Sequence, residues 1–349
     1  MTTLKTDFRR LFPGKVFLEN EKVAPVERYL REKGWIEPDV QVLKIERPGA
    51  GNMNLVIRVL TDKTPALILK QSRPWVEKYP QLAAPVERIM VEKTYYETIG
   101  KNEILASYSP DLLHFDEENF IMVLEDLGEA ADFTCVYKKG VHFKPTEITE
   151  AITYLNILGE LKPVNNYPEN KELRTLNHQH IFHLPFISNN GFDLDDIQHG
   201  LRGLSEKAKS DTKLKARVSA LGETYLGKGT TLLQGDFYPG SLLNVKSRIK
   251  VIDPEFSFLG PVEWDIAVFI AHLFMSGAEE ASIRSAFEQF EKKETFDFGR
   301  FSGFVGVEIL RRLIGLAQLP LEMDLDEKAG LIDRSILWVK QANIDILYG

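Results

Sequence analysis

The sequence contains very little cysteine: Cys135 is the one thiol among 349 residues. A single thiol excludes an internal disulfide and any metal site that needs several thiolate ligands. We expect Cys135 to be a buried or half-buried apolar side chain rather than a catalytic thiol. Long apolar runs are scarce as well. The longest, residues 266–275, is interrupted by His272 and is far shorter than the roughly 20 residues of a membrane-spanning helix.

Positive charge is not in excess either. The formal net charge is −8 and the pI is near 5.6. A nucleic-acid-binding surface needs clustered lysine and arginine, so this balance argues against nucleic acid as a partner. The first 14 residues contain no apolar core of the signal-peptide type. We therefore expect a soluble, cytoplasmic protein that binds neither membrane nor nucleic acid.

Apolar residues make up 44% of the chain, which is enough for two well-buried lobes. We expect an α+β protein. In the first lobe, residues 1–127, alternating apolar residues predict an antiparallel sheet with two helices. The second lobe, residues 128–349, is predicted to be mainly helical. The predicted strands of the first lobe are 41–47, 54–60, 66–71, 112–116 and 120–126, and its helices are 23–33 and 85–99. The predicted helices of the second lobe are 145–161, 201–226, 265–275, 278–292, 298–319 and 326–347.

A pair of acidic positions in the second lobe suggests chemistry. Asp236 follows an apolar run and precedes a tight turn, where an aspartate is usually a local cap. Asp253 ends a second apolar run 17 positions later, and this repetition favours a functional interpretation. Phosphoryl transfer needs one carboxylate that accepts a hydroxyl proton and separate carboxylates that hold a metal ion. We expect Asp236 to be the catalytic base.

Asp253 and Glu255 are two positions apart, so on an extended segment both side chains would point to the same side. Two carboxylates on one face repel each other unless a cation neutralises them, and Mg²⁺ prefers such oxygen ligands. The alternative is a solvated acidic loop. The apolar neighbours Ile252 and Phe256 argue against that alternative.

A lysine in the third predicted strand, Lys70, is most simply an exposed polar residue. The functional interpretation is that Lys70 reaches the α- and β-phosphates of a nucleotide while a helix glutamate holds it in place. We favour Glu92 as that partner, and Glu87 and Glu97 compete with it.

The turn before the second strand is rich in glycine and contains Gly49, Gly51 and Asn52. Its backbone amides could cover nucleotide phosphates, although the motif alone is a generic turn. The GxxxxGK[ST] pattern does not occur in the chain. A P-loop NTPase is therefore disfavoured.

The order of these features resembles the small-molecule branch of the protein-kinase-like fold, the aminoglycoside phosphotransferase and choline kinase superfamily. Within it, the 5-methylthioribose kinases are the most similar group. The resemblance implies a two-lobe fold with an antiparallel sheet in the first lobe and a mainly helical second lobe. The motifs that carry it, between about residues 45 and 320, are GNMNLVIRV, LILKQ, VLEDL, GDFYPGS, VIDPEFSFLGP and ILRRLIGLA.

The resemblance also implies roles for further residues. Ser241 stands where most relatives have an asparagine as the second metal ligand, and serine is usual in methylthioribose kinases. The connector that contains Glu125 and Leu127 would bind the adenine edge through its backbone. Arg311 and Arg312 match a tandem arginine that helps to bind the sugar and the transferred phosphoryl group.

Two remaining positions are matched to the superfamily in different ways. Asp265 resembles a buried aspartate that braces the catalytic loop. Gln234 replaces the usual histidine before Gly-Asp.

The function that these residues predict is an ATP- and Mg²⁺-dependent kinase for a hydroxyl group of a small metabolite, with a methylthioribose-like sugar as the leading acceptor. An aminoglycoside, choline or homoserine acceptor stays open, because residues 176–197 match no methylthioribose kinase segment and include the acidic run 193–196. A nucleotide-binding protein without catalysis is a third alternative, suggested by Gln234 and Ser241. A homodimer is implied by analogy with methylthioribose kinases.

Overall fold

The structure, a computed structural model, describes residues 3–20, 22–49, 53–162 and 166–342. The chain forms two compact units, Met1–Ala130 and Ala131–Gly349. In the described ranges, no helix is long and apolar enough to cross a membrane.

The first unit is built on the predicted antiparallel sheet, which has five strands in the order β1-β2-β3-β7-β6. The central strand, β3, pairs with β2 on one side and β7 on the other, and Lys70 lies opposite Val56 and Met122. A separate two-stranded hairpin is formed by β4 and β5. The strands are β1 Val42–Glu46, β2 Leu55–Thr61, β3 Leu67–Gln71, β4 Trp75–Val76, β5 Tyr79–Ala83, β6 Leu112–Asp116 and β7 Ile121–Glu125.

In the described part of this unit the sheet is accompanied by the helices α1 Thr3–Leu11, α2 Val23–Glu32, α3 Arg88–Ile99 and α4 Glu103–Ser107. The buried residues of α2, such as Val26 and Leu30, pack in one core with alternate strand residues such as Ile57, Val59 and Leu69. Because strand side chains alternate between the two faces of a sheet, Lys70 lies on the face opposite Leu69 and away from this core.

The second unit is mainly helical, as predicted, and its centre is the long helix α11. Nearly every residue of α11 is buried, and it packs against α9 and α12. Gly306 allows this approach, because a Cβ atom there would lie 2.7 Å from the Ser335 carbonyl oxygen. The helices are α5 Pro145–Glu160, α6 Lys171–His178, α7 Leu201–Ser210, α8 Thr212–Leu226, α9 Glu263–Met275, α10 Glu280–Gln289, α11 Phe298–Ile314 and α12 Leu325–Gln341.

Short strands in this unit carry the acidic motifs. β9 pairs with β12, and β10 pairs with both β8 and β11, all antiparallel. These strands are β8 Ala131–Asp132, β9 Thr231–Leu233, β10 Leu242–Val245, β11 Arg248–Val251 and β12 Phe258–Gly260.

The structure differs from the sequence prediction at several places. The predicted helix 201–226 is two helices, because Asp211 interrupts it and caps α8 by accepting a 2.9 Å hydrogen bond from the Leu214 amide. The helix predicted over 298–319 ends at Ile314, before Gly315. The expectation for Cys135 is wrong: it is exposed, because it lies on the outer side of a 3₁₀ turn whose Phe133 and Val136 are buried.

We predict that Phe304→Ala destabilises the second unit strongly. Phe304 is fully buried, and its ring meets the Trp264 ring edge-on with 5.1 Å between centroids. Removing the ring leaves a cavity, so the free energy of unfolding should fall by about 3–5 kcal/mol. Phe298 lies on the same helix and is 43% exposed, so Phe298→Ala should cost less than about 1 kcal/mol. Urea denaturation followed by circular dichroism measures both, and equal losses would contradict this packing.

Candidate active site

The loop that follows β9 carries Asp236, and a buried carboxylate from α9 holds its backbone. Asp265 accepts hydrogen bonds from the amides of Gln234 (2.6 Å) and Gly235 (3.0 Å). The Trp264 indole donates to the Gly235 carbonyl at 3.0 Å. Burial raises the pKa of Asp265 to about 7, against the lowering effect of these two amides. One helix therefore fixes the peptide on both sides of Gly235.

Gly235 has to be glycine for two reasons. Its φ is +93°, in the region that side chains disfavour, and a Cβ atom would lie 2.2 Å from the Phe256 carbonyl oxygen. The loop thus passes directly against the backbone that follows Asp253.

Gln234 ties the two acidic motifs together. Its side-chain amide donates to the carbonyls of Ile252 (3.0 Å) and Asp253 (3.3 Å), and its carbonyl accepts from the Asp236 amide at 2.8 Å. Gln234 is fully buried. The glutamine thus braces the loop through both ends of its amide.

The side chain of Asp236 faces the two consecutive arginines at the end of α11. Arg312 Nη2 donates to Oδ1 of Asp236 at 3.2 Å, and Arg311 Nη2 lies 3.8 Å from the same oxygen. Both arginines are 5% exposed, whereas the Asp236 side chain is 16% exposed. Burial raises the pKa of Asp236, and the two guanidinium groups act in the opposite direction. The structure therefore brings together Asp236, Arg311 and Arg312, which sequence reasoning had singled out separately.

A second carboxylate, Glu308, lies on the same helix and shares both arginines. Its Oε1 accepts from Arg312 Nε at 2.6 Å, and its Oε2 lies 3.2 Å from Arg311 Nη1. Burial alone would raise the pKa of Glu308, but the guanidinium groups of Arg311 and Arg312 lower it well below its usual range. Glu308 is therefore a carboxylate anion, and it and Asp236 are the two negative charges that contact the arginines.

Glu308 also contacts the buried His272, which in turn contacts the buried Tyr137. His272 Nε2 lies 3.2 Å from Glu308 Oε1, and His272 Nδ1 lies 2.6 Å from the Tyr137 hydroxyl. Burial lowers the pKa of His272 to about 4, so the ring is neutral at pH 7 and carries one proton. Burial also raises the pKa of Tyr137. Because Glu308 is an anion, the imidazole proton lies on Nε2, and Nδ1 accepts from the tyrosine.

The segment that contains Asp253 and Glu255 is not extended, contrary to the prediction from the sequence, so the alternation of side chains along a strand does not apply to these two carboxylates. Asp253 has φ 54° and ψ 50°, and Pro254–Phe256 is a 3₁₀ turn. Proline after Asp253 favours such a turn because its own φ is fixed. Glu255 is 4% exposed. The electrostatic effect of Asp253 contributes to the raised pKa of Asp236, so these two acidic motifs are close enough to interact.

Ser241 lies beside the Asp253 motif. Its carbonyl accepts a 3.0 Å hydrogen bond from the Ile252 amide at the end of the β10–β11 ladder. Ser241 is 3% exposed. Among the described residues, no three His, Cys, Asp or Glu side chains converge as a metal site. Mg²⁺ commonly takes one or two carboxylates and shares its remaining positions with substrate phosphates and water, so the oxygen donors of Asp253, Glu255 and Ser241 suit such an ion.

In the first unit, the structure pairs Lys70 with Glu92. Lys70 Nζ lies 2.7 Å from Glu92 Oε2, and both side chains are almost fully buried. Glu97 instead lies 2.7 Å from Lys93 on the surface. The partner of Lys70 is therefore Glu92, the glutamate that the sequence favoured over Glu87 and Glu97.

Three other predicted nucleotide residues of this unit lie at the end of a strand or shortly after one. Glu125 is the last residue of β7, and its carboxylate accepts from the Asp111 amide at 3.2 Å. Leu127 follows in the connector, and Gly49 lies in the turn after β1. Gly51 and Asn52 lie outside the described residues.

Sequence reasoning missed Glu308, His272 and Tyr137. For Glu308 a signal existed, since an acidic residue three and four positions before two arginines on an apolar helix can reach both of them. No comparable signal marks His272, because a histidine in an apolar helix is usually a core residue. Tyr137 is 135 positions from His272, and only the fold brings them together.

The chain is similar in sequence to several methylthioribose kinases. No protein-family model matches the chain. A methylthioribose kinase from Exiguobacterium sibiricum is 28% identical over 328 residues, with 81% of each protein covered. A methylthioribose kinase from Bacillus mycoides is 26% identical over 349 residues, with 86% of this chain and 85% of the relative covered.

Solved structures show the same fold. The choline kinase LicA from Streptococcus pneumoniae matches with a TM-score of 0.51 and 13% identity over 91% of this chain and 99% of its own. LicA in complex with AMP matches with a TM-score of 0.54 and 14% identity, over 93% and 100% of the two chains. The chain shares the protein-kinase-like fold of these kinases, and the relatives that it matches over more than four fifths of its length are kinases. Such a kinase uses ATP with a divalent metal ion, typically Mg²⁺.

We predict that His272 makes the stability of the protein depend on pH. In the unfolded chain His272 titrates near pH 6.5, whereas in the folded protein its pKa is about 4. Between these values the unfolded state binds a proton that the folded state does not, so stability falls as the pH falls. The loss attributable to His272 between pH 7 and pH 4 should be about 3 kcal/mol.

His272→Gln cannot take up this proton, so its stability should fall less steeply over the same window. Urea denaturation at steps between pH 7 and pH 4.5 measures the difference between the two proteins. Parallel curves would contradict the low pKa of His272.

Proposed function

We propose that the protein transfers the γ-phosphoryl group of ATP to a hydroxyl of a methylthioribose-like sugar, with Mg²⁺ as the metal ion. The observation that carries this proposal is the buried contact between Asp236 and the two arginines of α11. The name shared by the relatives, methylthioribose kinase, supports the same acceptor.

In this proposal, Asp236 is the catalytic base. The acceptor oxygen attacks the γ-phosphorus, the bond from phosphorus to the bridging oxygen breaks, and the hydroxyl proton passes to Asp236. Mg²⁺ offsets the charge of the phosphates when bound, and Asp253, Glu255 and Ser241 are the residues that would hold it. Arg311, with Arg312, offsets negative charge on the acceptor side.

The nucleotide would bind to the first unit. Lys70, held by Glu92, contacts the α- and β-phosphates in this proposal. Glu125 and Leu127 contribute backbone groups to the adenine edge, and Gly49, Gly51 and Asn52 form the phosphate cover. The closed ion pair of Lys70 and Glu92 supports the first of these roles.

The charge around Asp236 gives no support to a cationic acceptor such as choline or an aminoglycoside. The carboxylates of Asp236 and Glu308 are already compensated by Arg311 and Arg312, so this cluster offers no net negative charge that would bind a cation. The acidic run that kept the cationic alternative open is engaged locally: Asp193 pairs with Arg202, and Asp195 accepts the amides of Gly200 and Arg202. These carboxylates therefore give little support to a cation-binding pocket.

The alternative without catalysis loses its main support. It was suggested by Gln234 and Ser241, which differ from the commonest residues of the superfamily. Gln234 braces the loop of Asp236 through three hydrogen bonds, so its presence does not indicate a degraded site.

A phosphorylation screen tests the proposal. We expect ATP turnover with methylthioribose and weaker or no turnover with ribose, choline, homoserine and an aminoglycoside, measured as ADP release and as labelled product. Asp236→Asn should lower kcat by about 10²–10⁴-fold, because the base is lost. If no acceptor gives more turnover with wild type than with Asp236→Asn, the proposal is wrong. Light scattering after size exclusion tests the homodimer, which we propose by analogy alone.

We predict that Glu92→Gln weakens nucleotide binding selectively. Without its carboxylate partner, Lys70 loses its fixed position, so KM for ATP should rise on the order of tenfold while KM for the acceptor changes little. Glu97 lies on the same helix and pairs at the surface, so Glu97→Gln is the matched control and should leave both constants unchanged. Steady-state kinetics with each substrate varied in turn distinguishes the two. A similar rise of KM for ATP in both variants would contradict a specific role of Glu92.

A further inference from the structure

The two carboxylate oxygens of Asp236 have different surroundings. Both arginines approach Oδ1, at 3.2 Å from Arg312 Nη2 and 3.8 Å from Arg311 Nη2. In the part of the chain that the structure describes, no group donates a hydrogen bond to Oδ2. The side chain keeps 16% of its surface exposed, so Oδ2 has a free lone pair and access to a ligand.

This asymmetry needs an explanation, because arginine usually binds a carboxylate with two parallel hydrogen bonds, one to each oxygen. Here the Nε side of the Arg312 guanidinium is already taken by Glu308 Oε1 at 2.6 Å. The face of the same guanidinium lies over the Tyr238 ring, 4.9 Å from its centroid. Arg312 can therefore present only its Nη edge to Asp236.

Glu308 also balances the charge. Arg311 and Arg312 contribute two positive charges, and Asp236 and Glu308 contribute two negative charges, so this buried cluster is neutral. Without Glu308, two guanidinium groups would share Asp236 as their nearest anion and would be drawn to both of its oxygens.

The position of Glu308 is in turn fixed by neutral groups. His272 Nε2–H points to Glu308 Oε1, and the Tyr137 hydroxyl donates to His272 Nδ1. Glu308 and His272 are fully buried, and Tyr137 is 3% exposed. Tyr137 belongs to a 3₁₀ turn that packs against Pro239–Ser241, in the same loop as Asp236.

Resting on the proposed function, we propose that Tyr137, His272 and Glu308 form a positioning relay. The relay holds the arginines on Oδ1 of Asp236 and thereby reserves Oδ2 as the oxygen that accepts the proton of the acceptor hydroxyl. Its members touch neither substrate nor nucleotide, and they act through Arg312.

A double-mutant cycle between Tyr137→Phe and Arg312→Gln tests the relay. Tyr137→Phe removes one hydroxyl and keeps the ring, so the fold should persist. We expect it to lower kcat by about five- to tenfold, with KM for ATP and for the acceptor within about twofold of wild type. In the Arg312→Gln background, Tyr137→Phe should have no further effect on kcat, because the residue through which the relay acts is gone. If Arg312→Gln does not fold, Glu308→Gln replaces it in the cycle.

The matched control is Tyr29→Phe in the first unit. Tyr29 is also buried, and its hydroxyl donates to a buried carboxylate, that of Asp116, at 2.7 Å. This variant should lower Tm by a similar amount and leave kcat unchanged.

Each result of the cycle is decisive. Effects on kcat that multiply in the double mutant, or a Tyr137→Phe variant with lowered Tm and unchanged kcat, would overturn the relay while leaving the proposed function intact. A wild-type protein that phosphorylates none of the acceptors overturns the proposed function and the relay with it.

Discussion

Charge balance inside the second unit is the constraint on which the rest of the candidate site depends. Two guanidinium groups and two carboxylates share one buried volume, and an unpaired charge in such surroundings would cost several kcal/mol. Each charge is tolerated because its counterions lie within 4 Å. The buried helix α11 can carry Arg311 and Arg312 only because Glu308 is on the same helix and Asp236 is brought to its end.

The loop that brings Asp236 there is held from two directions. Asp265, on α9, binds the backbone before Asp236, and Gln234 binds the backbone of the Asp253 motif. Together they fix one acidic motif relative to the other without using the Asp236 carboxylate itself. The loop is therefore held in place through its backbone, and the Asp236 carboxylate is left to contact the arginines.

Much of the fold was predictable because apolar periodicity is a local property. The strands of the first unit and most helices of the second unit follow from it, and so does the position of Asp236 after a buried strand. Local pattern failed where a single residue overrides it, as at Asp211, or where a turn replaces an extended segment, as at Asp253. It also could not find contacts between residues far apart in the chain, such as Tyr137 with His272, since no spacing rule relates them.

The exposed position of Cys135 has a practical consequence. It is the sole thiol of the sequence and lies two residues before Tyr137, on the same 3₁₀ turn. A maleimide fluorophore or a nitroxide spin label would therefore attach at one defined place without any engineered cysteine. A probe there would report on the turn that packs against the loop of Asp236, so spectroscopy could follow this region in the native sequence.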